Sequence, residues 1–236
     1  MKHLLLSFAA IFILTISVKA QEKKFYTTSG GEMIFSFATI DDNGNTKGNI
    51  IRWTPFFNVQ FYGNYDVNKN IGFIFGAAIR NVGFIYEPSA SSNSAFAGTK
   101  KKFRNYDLGI PIGIKIGNMK KAFIFAGYEI EFPFNYKEKV FENEVKTDNF
   151  SIWFSDRVPT YYNTFFAGVQ FPYGLSLKFK YYLTGFLNED YTETVDGNPH
   201  MPYKGLKANI FYFSISTSLF KGHDVYIKEY KEGNIY

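Results

Sequence analysis

Cysteine is absent from all 236 residues. That excludes disulfide frameworks, thiolate metal sites, cysteine nucleophiles and acyl anchoring through a cysteine. Proline is scarce, 8 residues beside 20 glycines, so collagen-like and proline-rich low-complexity classes drop out, and the apolar content is too high for a disordered chain. Charge is thin as well, at 20% of residues with a formal net of +5. Beyond the N-terminus no stretch approaches the roughly 20 apolar residues of a membrane-spanning helix. What the chain has in quantity is aromatic side chains: 28 Phe, 18 Tyr and 2 Trp. Its length allows one large all-β unit or two small domains, with ample chain for a substantial core.

Lys2 and His3 precede an apolar run from Leu4 to Val18, and Val18-Lys19-Ala20 brings small or compact residues before Gln21. This pattern predicts a secretory signal peptide over residues 1–20. Its removal takes away Lys2 and Lys19 and no acid, leaving 24 bases against 21 acids. A surplus that small, without a basic block, gives no case for nucleic acid. The remainder reads as one domain over residues 21–220, with 21–29 as a lead-in and 221–236 as a polar tail.

From Gly31 onward the hydrophobic period is 2. Between Tyr106 and Gly117 the residues Tyr106, Leu108, Ile110, Ile112, Ile114 and Ile116 share one parity, with Asp107, Gly109, Pro111, Gly113, Lys115 and Gly117 on the other, which sets the aliphatics on one face of a strand. The same reading predicts eight strands, near residues 31–39, 52–65, 71–85, 104–117, 122–134, 160–171, 175–186 and 206–220. Three connections are short and built of turn formers: 66–70, 118–121 and 172–174. The other four, 40–51, 86–103, 135–159 and 187–205, are long and polar. Alternating short and long links in an even-stranded antiparallel sheet gather the turns at one end and the loops at the other, as in transmembrane barrels with short periplasmic turns and long extracellular loops.

The aliphatic parity carries no Lys, Arg, Asp or Glu, whereas the other holds Gly, Ser, Asn, Gln and scattered charges. Uncharged positions facing out and small or polar ones facing in suit a membrane barrel with a narrow lumen better than a soluble lipocalin-like binder. Pro111 removes a ladder donor, which predicts a bulge or kink there. An apparent parity change after Arg80 predicts a second bulge near Asn81. Counting up from the turns sets Arg52, Arg80, Asp107, Glu129 and Glu131 in an upper lumen tier, with Arg80 meeting Asp107, and Glu32, Lys115 and Lys178 in a lower one. A paired network is expected, because unpaired charges in so narrow an interior are costly.

The leader, the eight-strand rhythm, the stretch Asn105-Tyr-Asp-Leu-Gly-Ile-Pro-Ile-Gly-Ile-Lys115 and the strand ending in Phe220 resemble the small outer-membrane β-barrel proteins of Gram-negative bacteria, within the porin-family group that includes PorT-like proteins. The resemblance implies an all-β, eight-stranded, antiparallel up-and-down transmembrane barrel in the outer membrane. It further implies contact with outer-membrane lipid and lipopolysaccharide, insertion by the barrel-assembly machinery, and a structural, adaptor or loop-mediated ligand-contact role linked to secretion or envelope assembly.

Catalytic signals are weak. Some outer-membrane barrels are lipid-modifying enzymes that rely on His with Ser or an acid, which keeps that class as the alternative. Here His200 lies in a loop before Met-Pro, and His223 in the tail, so no catalytic residue and no enzyme is expected. Asp41-Asp42-Asn43-Gly44-Asn45 lacks the spacing and terminal Glu of a calcium loop, so neither metal nor cofactor is expected. In the longest loop Trp153, Asp156 and Arg157 form a candidate recognition patch, since Trp and Arg are favoured anchors.

Overall fold

The computed structural model describes residues 24–94 and 96–221; the signal segment 1–20, the tail beyond Lys221 and His223 lie outside them. In chain order the strands are β1 (Lys24–Asp42), β2 (Asn49–Ile50), β3 (Arg52–Thr54), β4 (Val59–Asp66), β5 (Ile71–Tyr86), β6 (Lys100–Gly117), β7 (Phe123–Glu142), β8 (Val145–Trp153), β9 (Tyr162–Gln170), β10 (Leu175–Tyr182), β11 (Glu193–Val195), β12 (Asn198–His200) and β13 (Leu206–Lys221). Eight of them form a ring: β1, β4, β5, β6, β7, β9, β10 and β13 each pair antiparallel with the next, and β13 returns to β1 from Thr28↔Lys221 to Asp42↔Leu206. Closure leaves this ring without an edge strand. Short turns 67–70, 118–122 and 171–174 and both described chain ends lie at one rim; the long connections lie at the other.

Alternation is cleanest in β6, where even residues from Leu108 to Ile116 face out and Asp107, Gly109, Pro111, Gly113 and Lys115 face in. The outward residues form an uncharged apolar belt around the barrel: Ile112 is 63% exposed, Phe61 and Ile124 56%, and Phe213 53%. Surface of this extent has no stable place in water. It is the lipid-facing band of a membrane barrel.

Several boundaries depart from the sequence expectation. The supposed lead-in from Lys24 is strand, paired with β4 from Lys24↔Asp66 onward. The span 52–65 is broken at 55–58, where Pro55 lacks a donor and Phe57 has φ +65°. No bulge occurs at Asn81: Arg80↔Asp107, Asn81↔Tyr106 and Val82↔Asn105 run in unbroken register. Val82, Phe84 and Tyr86 stay on the inner face because the interior becomes apolar beyond the belt. Pro111 causes no bulge either. The β5–β6 pairing lapses between Phe75↔Ile112 and Ala78↔Gly109, opposite the missing donor, while Pro111 keeps its register with Glu129 on β7.

The irregularity instead falls at Phe134. Tyr106 pairs with Asn135 and Asp107 with Pro133, so one β7 residue is extra. This bulge reverses the parity of β7: Glu129 and Glu131 face in below it, Tyr136 and Glu138 face in above it. The region 135–159 is therefore mostly a long hairpin, β7 continuing to Glu142 and returning as β8 through Asn143 (φ +48°) and Glu144 (φ +62°), the positive-φ pair that a two-residue hairpin turn needs.

Candidate functional site

The middle of the lumen is filled by charge. Arg80, fully buried on β5, donates to Glu32 of β1 and Glu129 of β7, and its Nε lies 3.6 Å from Glu131. Lys178 of β10 reaches Glu32 at 2.8 Å, and Lys180 pairs with Glu129 at 2.6 Å and with Glu131. Hydroxyls complete the shell: Ser214 donates to Glu32, Tyr182 to Glu131, and Tyr62 accepts from Arg80 at 3.1 Å. Glycine makes room for this cluster. A Cβ on Gly109 would lie 1.9 Å from a Glu129 carboxylate oxygen.

Towards the turns, Lys115 bonds Asp66 at 2.6 Å and Asn64 and the Tyr26 hydroxyl at 3.2 Å. A cavity of about 250 Å³ opens at this rim, with Lys178, Ser176 and Ser216 in its wall. At the loop rim the interior is an apolar plug. Phe186 stacks on Tyr162 at 5.8 Å and meets Phe84 edge-on at 5.5 Å, and Tyr203 meets Phe103 at 6.4 Å. Above it Arg157 donates to Tyr203 and Glu193, and Tyr203 donates to Glu138, which also takes Lys101 at 2.7 Å. Burial disfavours the Glu193 carboxylate, but the Arg157 hydrogen bond and charge outweigh it and hold this pKa below its ordinary value. Burial and Glu138 raise the Tyr203 phenol.

The outer wall above the belt is different. Tyr106, Phe134, Trp153 and Phe154 form a chain of ring contacts, 6.2, 5.9 and 6.5 Å between successive centroids, with Phe57 against Tyr106 at 6.2 Å. These rings are an interfacial girdle. Beyond it the ladder sets Arg104 opposite Lys137 and Lys102 opposite Lys139, with Lys146 on the same face of the hairpin. None of the four ladder cations has an ion-pair partner among the described residues; Lys102 and Arg104 lie over the rings of Phe141 and Tyr106. Burial, then the charges of Lys137, Arg104, Lys146 and Lys102, lower the pKa of Lys139. A cleft of about 260 Å³ separates this ladder from the 52–57 segment.

Of the residues expected in the lumen, Arg80, Glu129 and Glu131 cluster, and Glu32 and Lys178 join them instead of forming a lower tier. Strand tilt and stagger shift levels between neighbouring strands, so counts from the turns mislead. Lys115 lies apart with Asp66. Asp107 is Arg80's ladder partner but not its ion pair. Arg52 leaves the lumen: it donates to the carbonyl and side-chain oxygen of Asn81 at 3.1 and 2.6 Å, in the wall cleft opened by the strand break. Lys180 and Asp66 escaped notice, although Lys180 shares the parity of Lys178.

Trp153, Asp156 and Arg157 do not form one patch. Trp153 is exposed at the girdle, Arg157 folds inward over Tyr191 at 4.6 Å, and the Asp156 carbonyl accepts from Asn188 at 2.9 Å. His200 is exposed beside Glu193 at 3.4 Å. Asp42 is a buried acceptor for Tyr86 at 2.8 Å and for Ser94. Among the described residues no group of three or more acids and histidines could hold a metal.

No family model matches the chain, and no curated protein matches it. Solved structures similar in shape include Ail, the attachment invasion locus protein of Yersinia pestis, in complex with the heparin analogue sucrose octasulfate, at 12% identity over 84% of this chain and 99% of that one, TM-score 0.37. Others are Neisserial surface protein A, at 11% identity over 82% and 96%, TM-score 0.36, and CarO of Acinetobacter baumannii, at 6% identity over 80% and 97%, TM-score 0.32. The assignment of fold rests on the closed ladder and its belt: the chain is an eight-stranded outer-membrane β-barrel.

Proposed function

We propose that this barrel is a non-conducting, non-enzymatic outer-membrane protein that acts through its loop end as a structural or adaptor element contacting a ligand outside the cell. The observation that carries this reading is the asymmetry of the two rims. One rim has only tight turns, while the other adds the β7–β8 hairpin, the β11–β12 hairpin and a packed aromatic cap over a lumen filled by ion pairs. A protein built to conduct or to process a substrate inside the barrel needs an open interior; this one spends its extra chain beyond the belt.

The enzyme alternative lacks a constellation, since the only histidine in the described region is solvent-exposed and faces a single acid. A contribution to secretion or envelope assembly is supported by the PorT-like resemblance alone, and the secreted protein profile of a deletion strain tests it. Orientation is tested with protease on intact cells. Cuts are expected at the exposed tips 143–145 and 195–198 and none in the 67–70 turn; protected tips with a cut turn would overturn the reading. Unchanged lipid A after gene deletion is expected, and a changed acylation pattern would restore the enzyme class.

A further inference from the structure

Like charges directly opposite on a ladder destabilise a sheet unless something lies between them. Here that arrangement occurs on two successive rungs of the outer face, Arg104↔Lys137 and Lys102↔Lys139. It exists because of the Phe134 bulge. Without the extra residue, β7 would keep its lower parity and turn Lys137 and Lys139 into the barrel. The acids that could neutralise the wall are engaged elsewhere: Glu138 faces inward to Lys101, and Glu87 and Glu144 bind Lys100, higher on the same face. The four side chains are half-buried, their stems packed on the wall.

The depth of these rungs is informative. Arg104 is two residues beyond Tyr106 in the girdle and Lys102 two further, so the rungs lie about 7 and 14 Å along the strand from the aromatic ring level at the usual strand rise, and somewhat less along the membrane normal because barrel strands tilt. That is the zone of lipid headgroups over an apolar belt, with acyl chains below and charge above. A guanidinium and an ammonium face to face suit a tetrahedral, multiply charged anion, to which arginine gives paired donors and lysine a point charge.

We propose that the outer wall of β6 and β7 is a binding site for a phosphorylated glycolipid of the outer leaflet, its phosphate groups held on the Arg104–Lys137 and Lys102–Lys139 rungs. The ring chain Tyr106–Phe134–Trp153 supports the sugar and upper acyl region, and Arg52 and Trp53 across the cleft bound the site on the β3 side. Such a lipid replaces ladder repulsion with bridging and fixes the base of the β7–β8 hairpin. The inference rests on the reading that the loop end faces the outer leaflet, but the binding test needs no assumption about orientation in cells.

The full barrel is reconstituted in phosphatidylcholine nanodiscs and its retained lipids are read by native mass spectrometry. The probes are bisphosphorylated lipid A, the same lipid stripped of both phosphates, and inorganic phosphate. Retention of the first and about tenfold weaker retention of the second are expected, since charge-assisted contacts are the strong ones. Arg104→Gln with Lys137→Gln should lose the preference for the phosphorylated lipid, whereas Lys69→Gln with Lys120→Gln at the turn rim should keep it. Lys137→Glu places an acid opposite Arg104, so it should fold at least as well as the parent, judged by heat-modifiable migration, and still lose the lipid. Equal retention of both lipids, unchanged binding by the paired or the Lys137→Glu variant, or displacement by inorganic phosphate at equal concentration would overturn the proposal. Loops found facing the periplasm by protease, with lipid binding intact, would overturn the outward reading and leave the site standing.

Discussion

Arg80 and Asp107 are ladder partners across β5 and β6, yet the Arg80 guanidinium turns to Glu32, Glu129 and Glu131, while Asp107 forms no ion pair among the described residues and lies instead beside the Glu131 carboxyl. Four acids thus face three bases in the mid-lumen cluster, and one of the four is outside the pairing. Removing each partner should have opposite effects. Arg80→Met leaves the four acids with only Lys178 and Lys180 to balance them, and breaking a buried pairing of this kind costs about 3–5 kcal/mol. Asp107→Asn keeps the shape and removes an unmatched charge, so it should be neutral or stabilising. Urea midpoints of the two refolded variants in detergent check this; equal destabilisation would show that Asp107 is integral to the pairing.

Ile112 and Phe179 face out in the belt, and Gln170 faces the lower cavity. Arg at either belt position should cost about 2–4 kcal/mol if it lies near the bilayer midplane and lower the fraction of barrel recovered in the membrane. Gln170→Arg should be milder, because the cavity admits water and space. Fractionation with heat-modifiable migration reads all three, and a worse outcome for Gln170→Arg would reverse the faces.

The ring was legible because burial in lipid imposes a strict period of 2 and forbids charge, so β6 announces itself from Tyr106 to Ile116. Partners within the lumen were not, since strand stagger decides which levels meet, and no single strand records the stagger. Above the belt the lipid constraint ends. Lys137, Glu138, Lys139 and Val140 then look like loop, although they alternate outward and inward as a strand. The Phe134 bulge hid this further by changing parity in mid-strand. The β11–β12 hairpin carries a local signal of its own: Asp196-Gly197, with φ of +50° and +80°, is its turn, and an Asp-Gly pair predicts one.

Acid should loosen the loop cap before it touches the barrel. Glu193 has a pKa held below its ordinary value of 4.5 by Arg157, against the opposing effect of burial. A depressed carboxylate contributes stability that is fully present above the ordinary value and lost as pH falls through the folded one. Pepsin cutting near the β11–β12 hairpin should therefore rise only below about pH 4.5, the ordinary carboxylate range, while the ring stays heat-modifiable. In Glu193→Gln the cutting should begin higher and vary little with pH across that window. Cutting in the parent protein that already runs at its full rate above about pH 4.5, where pepsin still works, would remove this ion pair as the latch.

Conduction should be absent. An eight-stranded barrel has an interior only wide enough for its own side chains, and here Arg80, Lys178, Lys180, Glu32, Glu129 and Glu131 occupy its middle in mutual contact. The aromatic plug of Phe84, Phe103, Tyr162 and Phe186 closes the loop side, so the cavity of about 250 Å³ at the turn rim is a blind vestibule. An ion crossing the cluster has to break pairs in a low-dielectric interior, where each freed charge is costly. Purified monomer in planar bilayers should show no steady current. Arg80→Ala with Lys180→Ala opens space but leaves Glu32, Glu129 and Glu131 behind, so any conductance that survives folding should be small and cation-selective; large stable openings from the parent protein would mean that the cluster parts in the membrane.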